Sequence, residues 1–120
     1  EGGGRIVQVN VWRPITGPVR RTPLALADAE SIRPEELVAT EQIFPDRVGE
    51  IFQLAYAPEQ LWYWAPRMDR DEVLLIKGWD SIDDGRARFT PNGAFRLPDQ
   101  RPEDPVRQSI ETRTYMLFEG

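Results

Sequence analysis

The chain has 120 residues, enough for one core and for burying roughly two-thirds of its unfolded surface. Its 40 % hydrophobic and 10 % aromatic content argues against global disorder, and its net charge of -5 argues against a phosphate backbone, hence against nucleic acid as a partner. It has no cysteine, so there is no disulfide framework or thiolate chemistry and a reducing cytoplasm fits; no apolar run approaches the ~20 residues that span a bilayer, so no membrane partner is expected.

In chain order, the opening "EGGGRIV" lacks a Met and reads as a cut end leading straight into a strand. In "RIVQVNVW", Val7, Val9 and Val11 share one face while Gln8, Asn10 and Trp12 share the other, the period-two pattern of a half-buried strand. The valine face is expected to be core, and the other face polar and aromatic. "TPLALADAES" (22 to 31) follows as a short apolar run. "SIRPEELVATEQIF" (31 to 44) reads as the one helix, with Ser31 as N-cap, Pro34 in the first turn, and Glu35 and Glu36 at the positive helix end. "GEIFQLAYAP" (49 to 58), "LWYWAP" (61 to 66), "DEVLLIKGW" (71 to 79) and "VRQSIETRTYMLF" (106 to 118) are further strand candidates bounded by Pro, Gly and Asp.

These elements predict an all-β fold with one short helix, in a single domain over residues 1–120. Strands at this spacing with turns between them suit a sandwich, a barrel or a jelly roll. No internal repeat, low-complexity segment or linker interrupts the chain.

Chemistry-bearing residues are few. Without histidine the chain has no ordinary base for a nucleophilic triad, and no carboxylate spacing recommends glycoside hydrolysis. "DSIDDG" (80 to 85) has Asp80 and Asp84 before Gly85, but Ile82 and Pro91 occupy positions where a calcium loop needs ligands, so a solvated turn is expected. Asn10, Trp12 and Tyr63 are candidates for a substrate pocket, with core packing the alternative for each ring. On the last strand, Arg107, Ser109, Glu111, Arg113 and Tyr115 share a polar face. One reading has this face in water, with Arg107 paired to Glu111 or another carboxylate. The other has it lining a barrel interior, where Arg107 and Ser109 together hold a carboxylate.

Three ordered motifs, "VNVWRPITGPVRRTPLALADAES", "LWYWAPRMDRDEVLLIKGWDS" and "TPNGAF…DPVRQSIETR", resemble the C-terminal part of a family of hydroxylase/desaturase-like proteins. That family includes the fungal gibberellin desaturases, a protein of aspergillic acid biosynthesis and the cephalosporin methoxylation component. The resemblance spans almost the whole chain and implies a relation to the iron(II)/2-oxoglutarate oxygenases, whose fold is a double-stranded β-helix or jelly roll, here an incomplete barrel. It implies iron(II) and 2-oxoglutarate as cofactors, with Arg107 and Ser109 binding the distal carboxylate of 2-oxoglutarate.

The departures from the family pattern concern the metal. Asn92 of "PNGAF" occupies the family's distal His position, and an amide oxygen is a poor replacement for an imidazole on iron(II). The His-x-Asp of the facial triad would lie upstream of Glu1. No metal ligand is therefore assigned in this chain. The expectation is a truncated or degenerate hydroxylase/desaturase acting on a small secondary metabolite. The alternative is a non-catalytic binding or subunit-pairing module that keeps the carboxylate pocket. Unpaired strand edges would favour self-association or a partner chain that completes the barrel.

Overall fold

The structure, a computed structural model, describes residues 4–119; the opening Glu1 to Gly3, read above as a cut end, and Gly120 lie outside it. Eight strands follow in chain order: β1 (Arg5–Pro14), β2 (Leu24–Ala27), β3 (Leu37–Ile43), β4 (Val48–Leu54), β5 (Trp62–Trp64), β6 (Leu74–Asp80), β7 (Asn92–Ala94) and β8 (Ser109–Phe118). They form a β6-β1-β8 sheet, a β5-β2-β7 sheet and a separate β3-β4 hairpin. All pairings are antiparallel, and the sheets do not close into a barrel among the described residues.

The expected helix over 31 to 44 does not form. Its local signals produce two short 3-10 turns, Ala29–Ser31 and Pro34–Glu36, and the chain then extends into β3. Asp28, rather than Ser31, caps the first turn by accepting from the Glu30 N–H at 3.0 Å. Ser31 ties the turn to the next layer, its Oγ donating to the Asp28 carbonyl at 2.6 Å and accepting the Leu61 N–H at 2.9 Å. From Leu37 onward the β-branched Val38, Thr40 and Ile43 favour the extended backbone, and β4 supplies a partner across the full length from Leu37↔Leu54 to Ile43↔Val48.

The core also departs from the valine-face expectation. Directly paired residues in neighbouring strands project to the same face. Trp12 opposes Leu74 and Asn10 opposes Ile76, which places the main cluster on the Trp12 side of β1. Trp12, Val19, Met68 and Ile76 form that cluster, and Leu24, Leu26 and Leu74 pack against it. It is the space between the two larger sheets. On the other face Val7 is buried, while Val9 and Val11 are only half-buried. Both faces of β1 thus carry apolar weight, which strict alternation could not rank.

One register shift organises the far end of the β1-β6 pair. Val7 opposes Asp80 and Gln8 opposes Trp79, but Val9 opposes Lys77, leaving Gly78 unmatched. A Cβ at Gly78 would run into the side-chain amide of Gln8, so the glycine leaves that amide the space it occupies beside the bulge. The extra residue changes the phase of β6, so that Lys77 and Asp80, three apart, both lie on the Val7 and Arg5 side.

Candidate functional site

Arg107 stands just before β8, where the Ile15 N–H donates to the Gln108 carbonyl at 2.8 Å and holds the approach to the strand. Its guanidinium lies 5.8 Å from the centroid of the Trp12 ring, and Nη1 donates to the Thr22 carbonyl at 2.6 Å. Thr22 is a β-branched residue at φ 50, a conformation that needs support. Two contacts supply it: the Thr22 N–H donates to Gln100 Oε1 at 3.0 Å, and its carbonyl accepts from Arg107. Arg107 makes no ion pair among the described residues. The expected pairing with Glu111 or another carboxylate on a solvated face is therefore not what holds it. An aromatic face and one carbonyl contact the guanidinium, and among the described residues that carbonyl is the one protein acceptor recorded for its five N–H donors.

Beside Arg107 is a cleft of about 220 Å³, lined by the segment Thr16 to Arg20 and by Pro105, Val106 and Arg107. Asn92 lines a different and larger cavity of about 600 Å³, walled by Leu37, Trp62, Trp79 and Arg88 among others. Ser109, Asn10, Trp12 and Tyr63 line neither of the two. The structure does not gather all the residues singled out from the sequence into one pocket.

The remaining candidates are placed as follows. Ser109 opens β8 opposite Pro14, half-buried. Asn10 is half-buried, and its Oδ1 accepts from Gln8 Nε2 at 2.5 Å. Trp12 is only 6 % exposed and belongs to the core cluster, the alternative that was open for it. Tyr63 is 60 % exposed; it opposes Leu26, which in turn opposes Asn92, so the three share a face of the β5-β2-β7 sheet. That is the face carrying Leu24 and Leu26 toward the core.

An iron centre does not fit the residues present. The exposed Asn92 side chain is turned to its own backbone, its Nδ2 donating to the Thr90 carbonyl at 3.0 Å. The described residues bring together no group of three His, Cys, Asp or Glu side chains able to hold a metal ion. The acidic turn over 80 to 85 is occupied by cations of the protein itself. Arg86 takes Asp84 in a two-point contact at 2.9 and 2.8 Å, and its hydrogen bonds hold the Asp84 carboxyl below the usual carboxylate range.

Asp80, read from sequence as part of a solvated turn, is fully buried. Arg5 donates to both of its oxygens at 3.0 and 2.6 Å, Lys77 Nζ donates at 2.7 Å, and the Ile82 N–H donates at 3.1 Å. The Arg5 bonds, followed by the Lys77 bond, hold its carboxyl well below the usual range. Arg88 Nε donates to the Asp80 carbonyl, and Lys77 Nζ also reaches the Ala87 carbonyl, so this cluster pins the loop after β6. The signal was present in sequence only as the chain's single lysine three residues before an aspartate; the Gly78 bulge that lets them meet was not legible.

Comparison with known proteins places this arrangement. A family model described as an oxidoreductase/YMDC permease-like domain (YDMC) matches residues 2–117. The hydroxylase/desaturase asaB of Aspergillus flavus is 40 % identical over 125 residues, covering 92 % of this chain and 55 % of asaB. The hydroxylase/desaturase efuI of Hormonema carpetanum is 38 % identical, covering 92 % of this chain and 40 % of efuI. Among solved structures, the iron and alpha-ketoglutarate-dependent endoperoxidase NvfI superposes with a TM-score of 0.86 at 32 % identity, over 98 % of this chain and 43 % of NvfI. The chain thus spans about half the length of the curated relatives it matches, and its strands follow the jelly-roll architecture of that neighbour. With a family model matching nearly its whole length, the chain belongs to the hydroxylase/desaturase family of oxidoreductase-like, iron/2-oxoglutarate dioxygenase-related domains.

Proposed function

We propose that this chain supplies the carboxylate-gripping wall of an oxygenase-type site and does not by itself supply the metal. In this reading Arg107, oriented by the Trp12 ring and the Thr22 carbonyl, presents its free N–H donors to the distal carboxylate of 2-oxoglutarate, and Ser109 adds a hydroxyl bond. The observation that carries it is the Arg107 to Thr22 bond at 2.6 Å, which spends one donor on orientation while no carboxylate among the described residues pairs with the guanidinium. The parent reaction would be hydroxylation or desaturation of a small secondary metabolite in the cytoplasm, and it would require metal ligands from outside residues 1–120. A degenerate or partial oxygenase and a non-catalytic pairing module that keeps the grip differ only in whether such ligands are ever supplied.

Asn92 is the observation that favours the non-catalytic form, because its amide is engaged with Thr90 where the family pattern has an imidazole. Isothermal titration of the metal-free chain with 2-oxoglutarate tests the shared core of both forms. Saturable binding near millimolar, about 4 kcal/mol of standard free energy, is expected. Heat indistinguishable from dilution up to tens of millimolar would refute the grip. An upstream reading frame carrying His-x-Asp would favour the enzyme.

A further inference from the structure

Thr22 holds a backbone conformation that its own sequence opposes. It is β-branched and is followed by Pro23, and both features favour extended backbone, yet its φ is 50°. Conformations of this kind persist where the surroundings over-determine them, and they gather where a functional group is being held. The Thr22 carbonyl is the acceptor that Arg107 Nη1 meets at 2.6 Å, so the direction of that carbonyl constrains where the guanidinium lies. On the other side of the residue, the Thr22 N–H donates to Gln100 Oε1 at 3.0 Å. Gln100 is itself held in place. The same oxygen accepts the Leu97 N–H at 3.0 Å, and the Gln100 N–H donates to the Leu97 carbonyl at 3.2 Å. One side-chain oxygen thus joins the turn over 97 to 100 to the residue that Arg107 contacts.

We propose that Gln100 is a positioning residue for the Arg107 guanidinium, acting through the Thr22 backbone; the inference rests on the carboxylate-grip reading of Arg107. An acceptor oxygen is what the position requires. Without it the Thr22 N–H loses its partner, φ relaxes toward the extended region, and the carbonyl turns away from Nη1. Arg107 then keeps the Trp12 ring but loses its backbone acceptor, and a planar two-point grip on a carboxylate is sensitive to such rotation. The surrounding chain does not depend on Gln100 alone. Arg21 Nη1 donates to the Pro102 and Asp104 carbonyls at 3.3 and 3.4 Å, and the Phe95 N–H donates to the Pro23 carbonyl at 3.1 Å. The residues on both sides of Thr22 therefore stay docked on the segment over 95 to 104 when Gln100 is replaced, and the Thr22 peptide is the part released.

Two variants, each compared with wild type, test the proposal on the metal-free chain. Gln100→Met keeps the length of the side chain without the amide oxygen, and Gln100→Glu keeps an oxygen. The first readout needs no ligand: side-chain NMR of the arginines, with Arg107 assigned by the signal missing from Arg107→Lys. Gln100→Met should shift and broaden the Arg107 Nη signal, and Gln100→Glu should return it toward its wild-type position. The second is titration with 2-oxoglutarate, which Gln100→Met should bind about fivefold more weakly, with Gln100→Glu recovering most of the loss. Backbone amide spectra report that each variant is folded. A folded Gln100→Met with wild-type affinity overturns the proposal whether or not the Arg107 signal moves, because a loop brace alone would lower stability and leave binding intact. So does a Gln100→Glu that recovers neither signal nor affinity. A wild type that does not bind 2-oxoglutarate refutes the grip instead, and the Arg107 signal then decides by itself whether Gln100 orients the guanidinium.

Discussion

Arg5 and Asp80, 75 residues apart, meet through both guanidinium Nε and Nη2, at 3.0 and 2.6 Å, with the carboxylate wholly out of solvent. This contact joins the start of β1 to the end of β6 and depends on the Gly78 bulge, which puts Lys77 on the same carboxylate. The Asp80 carboxyl is held down in the folded state, chiefly by Arg5. Its ionised form therefore stabilises the fold above the unfolded value, roughly pH 4, and that stability is lost as pH falls toward the folded value. Asp80→Asn should lower the melting temperature at pH 7, where it removes the negative charge facing Arg5 and Lys77 and replaces one of the two acceptor oxygens with an N–H donor. The gap to wild type should narrow steadily below about pH 4. Thermal melts from pH 7 to pH 2.5 check this; a gap constant with pH would contradict it.

The bulge is testable from its other side. A methyl group at Gly78 must displace the Gln8 amide, whose Nε2 is bound to Asn10 at 2.5 Å. Gly78→Ala should cost about 1 kcal/mol through that hydrogen bond. In a Gln8→Ala background most of the cost should vanish. A double-mutant cycle by urea unfolding measures the coupling; additive losses would mean that backbone strain at the bulge, not Gln8, sets the cost.

Trp12 distinguishes core from pocket. Buried in the cluster with Val19, Met68 and Ile76, it should cost about 3–5 kcal/mol when replaced by Ala. Trp12→Phe should cost less and keep an aromatic face under Arg107. Denaturant midpoints at unchanged slope provide the check. A Trp12→Ala loss below about 1 kcal/mol would return the ring to the surface.

What could be read from the sequence was what local pattern determines. The alternation in β1 and β8 is visible because both strands are long, whereas the shared face expected for Arg107 and Ser109 rested on period two at a position that lies before β8 begins. Residues 37 to 43 were misread because Ser31, Pro34 and the paired glutamates are helix-start signals that a single 3-10 turn uses equally well. What decides for a strand is β4, a partner outside the window. The burial of Asp80 was hidden for the same reason: Arg5 is 75 residues away, and the register shift that adds Lys77 depends on a glycine whose role only the paired strand reveals. For the site, the residue types were legible but their grouping was not, because Arg107 and Asn92 line separate cavities.

Metal chemistry gives a further expectation. With no histidine or cysteine in the sequence, and with Asp80 and Asp84 taken by the protein's own cations, the isolated chain should not bind iron(II) or zinc tightly. Asn92→His alone should not confer oxidation of a 2-oxoglutarate-dependent substrate, since one imidazole is not a facial triad. Anaerobic calorimetry is the check, and submicromolar affinity of the wild type for either ion would contradict the account.

The central claim is that Arg107 is a ligand-facing guanidinium, and ligand-observed NMR with 2-oxoglutarate on the metal-free chain tests it most directly. Arg107→Ala should abolish the saturable signal, and Arg107→Lys should be nearly as poor, because an ammonium cannot reproduce the planar fork. Arg113→Ala, further along the same face of β8, should weaken binding less. Melting temperatures of the variants report whether loss of the Thr22 contact has unfolded the chain. A folded Arg107→Ala variant without the signal is the expected result. A folded variant whose saturable signal equals wild type would contradict the claim and leave Arg107 as a structural brace for Thr22.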